Sequence, residues 1–429
     1  MNLKPVILTC KTQSLTMLQW LIFILVYLVI DYYAFQSVKT ITKKRVVYAL
    51  YWVLSGLVIG NLFYQMVLNA DAAVRVLTPI KSYAFGFVLS VFVPKVILIF
   101  FLIGEDAIRL LRALYRKIVG AKTQQSGFMA SRRKFISRLA LGIAALPFGA
   151  LLYGMYKGKY NFKVLTYTLT FNDLPKAFDG YKITQISDVH AGSFDDPEKI
   201  DYAINLINKQ KSDAILFTGD MVNNFANEMK PWAPNFGKLQ AKDGIFSVLG
   251  NHDYGDYVDW SSQAKKEENL KELITLQKNM GFDVLLNESR FIERQGERIA
   301  IVGVENWGEG GFKKAGDLKK ASAALNPNDF KILLSHDPSH WEAKVVDDHY
   351  HYHLTLSGHT HGMQFGIEIP GWFKWSPASF RYNQWAGIYR KKEQYINVNR
   401  GFGYLAYPGR FGIWPEITVI ELKKGGVVA

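Results

Sequence analysis

The chain has little of three residue types, and each shortage excludes something. Of its 429 residues only Cys10 is a cysteine, so no intrachain disulfide can form. The first 159 positions carry only 4 Asp or Glu against 20 Lys or Arg, whereas the later positions carry 33 against 31. The same 159 positions hold no histidine, since all nine lie at or beyond His190. Any histidine-based metal site therefore belongs to the later part. Because that part has no basic excess to neutralise a phosphate backbone, we expect no nucleic-acid partner.

The basic first part contains four apolar segments. They are Met17–Phe35, Val46–Leu68, Tyr83–Gly104 and Leu139–Met155. Each is close to the ~20 residues that a helix needs to cross the hydrocarbon core of a bilayer. We therefore predict a membrane region over residues 1–157 with about four transmembrane helices. Lys95, beside Pro94 in the third segment, either faces the bundle of a kinked helix or is a functional charge. The segments hold little other polarity, which disfavours a transporter.

Basic residues between the segments predict the orientation in the membrane. The first loop holds four Lys or Arg and the third holds eight, whereas the second has only Arg75 and Lys81. By the positive-inside rule the first and third loops lie in the cytoplasm, and the fourth helix runs outward. We therefore expect a multi-pass protein of the cell (inner) membrane, in contact with membrane lipids. The residues after the fourth helix would face the periplasm or the exterior.

A short motif directly precedes the fourth segment. Residues Ser131–Ile136 read Ser-Arg-Arg-Lys-Phe-Ile, which resembles a twin-arginine export signal of bacteria. The alternative is a plain basic flank of a membrane helix. Both interpretations send the following residues outward. Because no small-x-small cleavage site follows, we expect the anchor to be retained.

Residues 158–429 alternate short apolar runs with polar helical stretches. Eight runs are typical of strands: Tyr181–Ser187, Asp213–Thr218, Gly244–Leu249, Arg298–Val304, Lys331–Ser335, His353–Ser357, Gln394–Val398 and Glu416–Leu422. Two segments, Pro197–Lys209 and Ala264–Met280, are typical of helices. Strands that alternate with helices predict an α/β domain in which helices cover the sheets.

Five of these strands end in residues that can bind metals. In chain order the motifs are Asp188-Val189-His190, Gly219-Asp220, Gly250-Asn251-His252-Asp253, Ser335-His336-Asp337 and Gly358-His359-Thr360-His361-Gly362. Taken singly, Asp-x-His and Gly-Asp are typical of ordinary turns and His336 is typical of a core histidine, whereas Gly-Asn-His-Asp and Gly-His-Thr-His-Gly are stronger signals. Five of them, each after a strand, predict ligands that meet in the crevice at the carboxyl ends of the strands. Their imidazoles, carboxylates and amide oxygen suit a pair of divalent ions such as Mn, Zn or Fe.

The order of these motifs resembles that of the calcineurin-like metallophosphoesterase superfamily, over about residues 160–425. The tail, with Asn399-Arg400-Gly401 and Arg410-Phe411-Gly412, resembles the bacterial membrane-anchored or twin-arginine-exported branch. The resemblance implies a four-layer α/β/β/α sandwich with two metal ions. One ion would be held by Asp188, His190, Asp220 and His361. The second would be held by Asp220, Asn251, His336 and His359, so that Asp220 bridges the pair.

The resemblance also implies a reaction, the hydrolysis of phosphodiester or pyrophosphate bonds. Two ions ~3.5–4 Å apart bind the attacking and leaving oxygens and lower the pKa of a bridging water, which attacks as hydroxide. His252 is the candidate to stabilise the phosphoryl oxygens and protonate the leaving group, unless it only orients Asn251. Asp253 is the candidate to support His252. The alternative function is a membrane sensor or scaffold that binds a phosphorylated ligand without turnover, against which the complete ligand set argues.

Two further patterns leave alternatives open. Residues 372–392 interleave Trp, Phe and Tyr with Lys and Arg. This is typical of a bilayer interface or of a pocket for a lipid-linked phosphate, and also of a packed domain edge. His349, His351 and His353 form either an adventitious cluster or a third metal site. No pattern indicates an oligomeric state.

Overall fold

The structure, a computed structural model, describes residues 4–68, 78–119, 126–369 and 371–425. The chain falls into two units, Met1–Asn69 with Tyr83–Leu152 and Ala70–Ser82 with Tyr153–Ala429, which we call the membrane unit and the sheet unit. The longer segment of the sheet unit thus begins at Tyr153, five residues before the predicted position 158. The reason is that the last turn of the fourth helix packs within it, where the N–H of Arg410 donates to the carbonyl of Gly154 (3.3 Å).

Four long helices make up the first part of the chain. They are α1 (Lys4–Ile41), α2 (Arg45–Phe63), α3 (Pro79–Val119) and α4 (Ser126–Tyr156). Their candidate membrane spans are Leu18–Ile41, Arg45–Met66, Pro79–Val119 and Ser131–Tyr156, which confirms the four predicted spans. Several basic residues assigned to the third loop, such as Arg109 and Arg116, lie instead on α3. The helix continues there because no proline or glycine interrupts residues 105–119.

The twin-arginine-like motif lies inside α4. Its Arg132 donates from Nη2 to Oε1 of Glu105 on α3 (3.2 Å), and the Glu105 side chain is buried. The motif is therefore part of the helix packing in the membrane unit. Its use as an export signal stays a prediction.

A buried ion pair connects α1 and α3 in the membrane unit. Lys95 Nζ lies 2.8 Å from Oδ1 of Asp31, and both side chains are buried. Lys95 also donates to the hydroxyls of Ser55 (2.8 Å) and Tyr27 (3.1 Å). Asp31 in turn accepts from the hydroxyls of Ser55 and Tyr51. Lys95 therefore faces the bundle, and its partner Asp31 is an intramembrane charge that the sequence analysis missed.

Lys95→Met is expected to destabilise the membrane unit by about 3–5 kcal/mol, because Asp31 would be left buried without its counter-charge. Unfolding of the full chain in detergent micelles measures this. Lys39→Met is the matched control, since Lys39 is exposed near the end of α1. Adding Asp31→Leu to Lys95→Met should recover most of the loss. Equal unfolding free energies for Lys95→Met and the unchanged chain would contradict the prediction.

Fourteen strands lie among the described residues of the sheet unit. They are β1 Lys163–Phe171, β2 Lys182–Ile186, β3 Ala214–Phe217, β4 Ile245–Ser247, β5 Phe282–Val284, β6 Glu288–Arg294, β7 Glu297–Gly303, β8 Phe330–Leu334, β9 Leu354–Ser357, β10 Ile367–Ile369, β11 Phe373–Trp375, β12 Gly387–Lys391, β13 Gln394–Val398 and β14 Glu416–Lys424. One six-stranded sheet has the order β1-β14-β2-β3-β4-β5 and another has the order β12-β13-β9-β8-β7-β6. Strands β10 and β11 form a separate hairpin.

Apolar layers on both sides of each sheet define the architecture. Between the sheets, Ile183, Leu216 and Val248 pack in one cluster with Ile301, Ile332 and Leu354. The helices of the unit are α5 (Pro197–Lys209), α6 (Ala233–Phe236), α7 (Gln263–Asn279) and α8 (Leu318–Ala321). Helices α5, α6 and α7 cover the first sheet, and α8 with a turn at Trp341–Val345 covers the second. The predicted four-layer α/β/β/α order is confirmed.

All eight predicted strands are present, and α5 begins and ends at the predicted residues. Asp196 caps α5 by accepting from two backbone N–H groups, and Pro197 fits its first turn. The six strands that were missed share one property. Four of them, β1, β5, β6 and β12, are sheet edges, and the other two form the separate hairpin. Edge strands are only partly buried and therefore lack the continuous apolar runs that mark central strands.

Candidate metal centre

The predicted ligands follow strands whose carboxyl ends meet. Strands β2, β3 and β4 are parallel in the first sheet, and β8 and β9 are parallel in the second. The ligands after the first three are Asp188, His190, Asp220 and Asn251, and those after the other two are His336, His359 and His361. Because parallel strands present their carboxyl ends at one edge, short loops bring these side chains together.

The first cluster consists of Asp188, His190 and His361, which are all buried. Nε2 of His361 lies 3.0 Å from Nε2 of His190 and 3.3 Å from Oδ1 of Asp188. Three ligand atoms therefore converge on one position, as predicted for the first ion.

The second cluster consists of Asp220, His336 and His359. Nε2 of His336 lies 3.1 Å from Oδ2 of Asp220. Asn251 joins this cluster, because its Oδ1 lies 2.8 Å from Nδ1 of His359. The four predicted ligands of the second ion are thus neighbours.

Asp220 links the two clusters. Its Oδ2 lies 3.7 Å from Nε2 of His190 in the first and 3.1 Å from Nε2 of His336 in the second. A carboxylate between two imidazole clusters is suited to bridge two cations, because it offers oxygens to both and offsets their charge.

The residues also meet a test of fit that does not depend on any resemblance. The buried Nε2 of His336 lies against the buried Asp220 carboxylate, 3.1 Å from its Oδ2. Within the described part of the chain, the buried Oδ2 of Asp337 forms no hydrogen bond. A buried polar atom without a partner costs about 1–3 kcal/mol. The carboxylates of Asp188 and Asp220 are buried as well. Divalent cations would satisfy these lone pairs and charges, so the donor set fits two metal ions.

The backbone of the ligand loops adopts an uncommon conformation. Positive φ angles occur at Asp188 (53°), His190 (49°), Asp220 (60°), His359 (69°) and His361 (49°). Each costs of order 1–3 kcal/mol in a residue other than glycine, and such residues cluster at functional sites. The backbone conformation of these loops therefore directs the ligand side chains into the site, and it costs stability.

Two motif glycines provide room for these loops. A Cβ on Gly250 would lie 2.2 Å from Oδ1 of Asp220, and one on Gly358 would lie 2.2 Å from Oδ2 of Asp188. Both distances are shorter than any van der Waals contact. Glycine is required at these two positions because the ligand carboxylate of a neighbouring loop lies directly against the backbone.

The pKa values of the site follow from burial and from neighbouring charge. Burial lowers the pKa of His190, His359 and His361 and keeps these imidazoles neutral, the form that binds metals. Burial also disfavours charge on His336, but Asp220 and Asp188 outweigh it and raise its pKa to about 10. The two carboxylates therefore create a position that favours positive charge.

Further residues contact the Nδ1 atoms of the ligand imidazoles and so orient the rings. They were not predicted for this role. Nδ1 of His336 donates to the carbonyl of Thr218 (2.7 Å), which leaves Nε2 to face the site. Nδ1 of His190 lies 3.1 Å from Oδ1 of Asn223. Asn223 sits three residues after Asp220, and a polar residue so close to a motif was the available signal.

Arg410 is fully buried behind the first cluster. Its Nη2 donates to Nδ1 of His361 (2.9 Å) and to the carbonyl of Gly403 (2.6 Å). In the sequence, Arg410 is recognisable only as part of the tail motif. Its contact places part of that tail directly behind a ligand of the first cluster.

His252 lies at the predicted place beside the centre. Its backbone N–H donates to Oδ1 of Asp220 (2.8 Å), and its ring Nδ1 donates to the carbonyl of Asn223 (2.8 Å). The half-buried ring lies 4.4 Å from the ring of Tyr257. Its Nε2 is therefore the nitrogen available for proton transfer.

Asp253 has different partners from those predicted. Its carboxylate accepts from the backbone N–H groups of Gly250, Asp220, Met221 and Val222, at 2.8 to 3.3 Å. The support for the His252 ring that was predicted from Asp253 comes instead from the carbonyl of Asn223. Asp253 holds the loop that presents Asp220, because the turn after β3 directs its N–H groups inward.

Asp253→Asn is expected to weaken metal binding by about 10–100-fold, because an amide cannot accept from all these N–H groups and the Asp220 loop loosens. Metal titration of the full chain in detergent measures this. Asp259→Asn, at an exposed position on the same connection, is the matched control. Unchanged metal affinity would show that Asp253 does not position the loop.

Aromatic residues lie beside His359 of the second cluster. The hydroxyl of Tyr382 lies 2.8 Å from Nε2 of His359. The ring of Phe312 lies 4.7 Å from that of His359. The exposed guanidinium of Arg381 lies 4.9 Å above the Phe312 ring. The stretch 372–392 therefore reaches the metal centre through Arg381 and Tyr382.

The remaining histidine cluster is structural. His353 is buried, and its Nδ1 accepts from the N–H of Lys331 (2.9 Å) while its Nε2 lies 2.6 Å from Oδ2 of Asp173. Both ring nitrogens are thus occupied. Among the described residues, the two clusters above are the only groups of three or more candidate metal ligands. The structure does not support a third metal site.

Comparisons with known proteins agree with this geometry. Residues 181–363 match the calcineurin-like phosphoesterase family, and residues 17–159 match a family described as a probable transmembrane domain of calcineurin-like phosphoesterases. The metallophosphoesterase YkuE of Bacillus subtilis is 33% identical over 300 residues, which cover 68% of this chain and 98% of that protein. A transmembrane protein with a metallophosphoesterase domain from Danio rerio is 27% identical over 341 residues, covering 77% of this chain and 71% of that protein.

The strand-end ligand motifs, the paired clusters that Asp220 joins and the four apolar helices therefore have one common explanation. The chain belongs to the calcineurin-like metallophosphoesterases and is a metal-dependent phosphoesterase with a transmembrane domain.

Proposed function

We propose that the protein hydrolyses phosphodiester or pyrophosphate bonds at a centre of two divalent ions, Mn, Zn or Fe. The observation that carries the proposal is the position of Asp220, whose Oδ2 lies within 3.7 Å of one imidazole cluster and 3.1 Å of the other. One ion would be bound by Asp188, His190, Asp220 and His361. The other would be bound by Asp220, Asn251, His336 and His359.

When bound, the two ions would supply Lewis acidity to the phosphoryl group and would lower the pKa of a water for attack on phosphorus. The protein's own residues do the remaining work. His252 donates the proton on Nε2 to the leaving oxygen, and its Nδ1 bond to Asn223 keeps the ring in the orientation for this transfer. Asp253 keeps Asp220 in place through the loop backbone.

Arg381 provides charge at the entrance of the centre. It is exposed, stacks on Phe312 and forms no ion pair with a carboxylate among the described residues. A guanidinium in this position suits a second phosphate or a neighbouring phosphoryl oxygen of the substrate. This supports a diester or pyrophosphate, and the candidate membrane spans support a substrate that is linked to a lipid.

We propose further that the sheet unit faces the periplasm or the exterior of the cell membrane. The basic residues near the end of α3 and the start of α4 support this orientation by the positive-inside rule. The substrate would then be a phosphate ester on that side of the membrane.

The test is metal-dependent hydrolysis of bis-p-nitrophenyl phosphate by the full chain in detergent micelles. Chelation should abolish turnover, and Mn, Zn or Fe should restore it together with two bound ions per chain. Two bound ions without turnover of any diester or pyrophosphate would favour the sensor or scaffold. A folded chain that binds no metal would refute both functions.

A further inference from the structure

An exposed apolar surface lies on the sheet unit beside the metal centre. The hairpin β10–β11 pairs Ile369 with Phe373 across its strands. Ile367, Ile369 and Phe373 are 43–51% exposed, Trp372 at the turn is 80% exposed, and Phe380 just after the hairpin is 83% exposed. These five residues form what we call the hairpin surface.

The hairpin has its apolar side chains on its outer face, whereas a hairpin at a water-exposed surface has polar side chains there. Its polar pair, Glu368 and Lys374, faces the rest of the unit. Glu368 accepts from Arg400 (3.0 Å and 2.5 Å), and Lys374 donates to the carbonyl of Ala386 (2.6 Å). Because alternate side chains of a strand point to opposite faces, the apolar residues point outward. A group of outward apolar side chains, with Trp372 80% and Phe380 83% exposed, indicates an apolar partner.

A series of contacts connects the hairpin to the last turn of α4. The ring of Tyr153, in the last turn of α4, lies 6.3 Å from the ring of Trp414. Trp414 lies 6.0 Å from Phe411, whose carbonyl accepts from the N–H of Gly366 (3.0 Å), the residue before β10. All these residues belong to the sheet unit. The hairpin is therefore held near the point where the chain leaves α4.

Three consecutive residues connect the hairpin surface to the metal centre. Phe380 belongs to the surface, and Arg381 places its guanidinium over Phe312. Tyr382 contacts His359 through its hydroxyl. A phosphate ester bound at the centre would thus have Arg381 beside its phosphate. Its apolar chain would lie on the hairpin surface, one step farther from the metal ligands.

We propose that the hairpin surface binds the bilayer that holds the candidate membrane spans, and that it presents phosphate esters with apolar chains to the metal centre. Tryptophan and phenylalanine beside basic residues are typical of membrane interfaces. The contact with the bilayer does not require catalysis. The presentation of the substrate rests on the proposed function.

The bilayer contact is tested by an environment-sensitive fluorophore on the full chain in vesicles of phosphatidylethanolamine and phosphatidylglycerol. Cys10→Ser removes the native thiol, and Trp372→Cys provides the labelling position. We expect blue-shifted emission that nitroxide-bearing lipids quench. Tyr202→Cys is the matched control, since Tyr202 is exposed on α5, and its label should emit as in water.

Water-like emission at position 372 would overturn the proposal. So would a shielded label that lipid nitroxides do not quench, because protein, such as a second copy of the chain, would then cover the surface. A label at Ile369→Cys repeats the measurement without changing the tryptophan.

Presentation of the substrate is tested with Trp372→Ser combined with Phe380→Ser. Hydrolysis of an acyl-chain phosphodiester in vesicles should fall by at least about tenfold, whereas hydrolysis of soluble bis-p-nitrophenyl phosphate should change by less than about twofold. Equal activity on both substrates would overturn the presentation. If the unchanged chain hydrolyses neither substrate, the proposed function fails, and the label still decides the bilayer contact.

Discussion

Replacing Asp220 by asparagine is expected to lower phosphodiester hydrolysis by about a thousandfold, which corresponds to about 4 kcal/mol of transition-state stabilisation. Asp220 is the residue that lies between both clusters, with Oδ2 3.7 Å from Nε2 of His190 and 3.1 Å from Nε2 of His336. An amide offers one weaker oxygen and no charge, so it cannot bridge two cations equally well. Turnover and bound metal of the full chain, measured together, check this expectation.

Asp201→Asn is the matched control for Asp220→Asn. Asp201 is a surface acid that pairs with Lys238, so the same chemical change there should leave activity and metal content intact. The unfolding transition of both variants separates loss of the bridge from loss of the fold. An Asp220→Asn chain that keeps two ions and full turnover would exclude the bridging role.

His252→Gln is expected to lower turnover by about 10²–10⁴-fold while two ions stay bound, because proton donation to the leaving group is lost. The loss should depend on the substrate. A p-nitrophenolate leaves without much help, whereas an alkoxide needs the proton. The variant should therefore lose more activity on an alkyl phosphodiester than on bis-p-nitrophenyl phosphate.

His349→Gln is the control for His252→Gln, since His349 is an exposed histidine of the sheet unit. A loss that is equal for both leaving groups would argue against a general acid and for binding of the phosphoryl oxygens. Loss of bound metal together with turnover would show that His252 acts by orienting Asn251, the alternative that the sequence left open.

The ligand set could be predicted from the sequence because its signals are local. Each ligand lies within four residues of the end of a strand, and short turns, three of which contain glycine, fix its position relative to that strand. The seven ligands therefore appear as five motifs, and the parallel order of the strands brings them to one edge. The central strands were found for a similar reason, since burial on both faces requires continuous apolar runs.

The partners of these residues could not be predicted, because they depend on contacts between distant segments. Asp253 could have supported His252, its neighbour in sequence, but the fold turns its carboxylate to the Asp220 loop about thirty residues away. Arg410 reaches His361 across 49 positions. No local pattern distinguishes such a contact from an ordinary polar residue.

The sequence alone determined the membrane region, the α/β domain and the seven candidate ligands, because apolar length, strand periodicity and strand-end motifs are properties of short segments. Only the tertiary structure decided that Asp31 pairs with Lys95, that Asp253 holds a loop and that the β10–β11 hairpin presents its apolar face outward. These three features depend on which distant surface each side chain meets. That choice is made by the packing of whole elements and is absent from any local pattern.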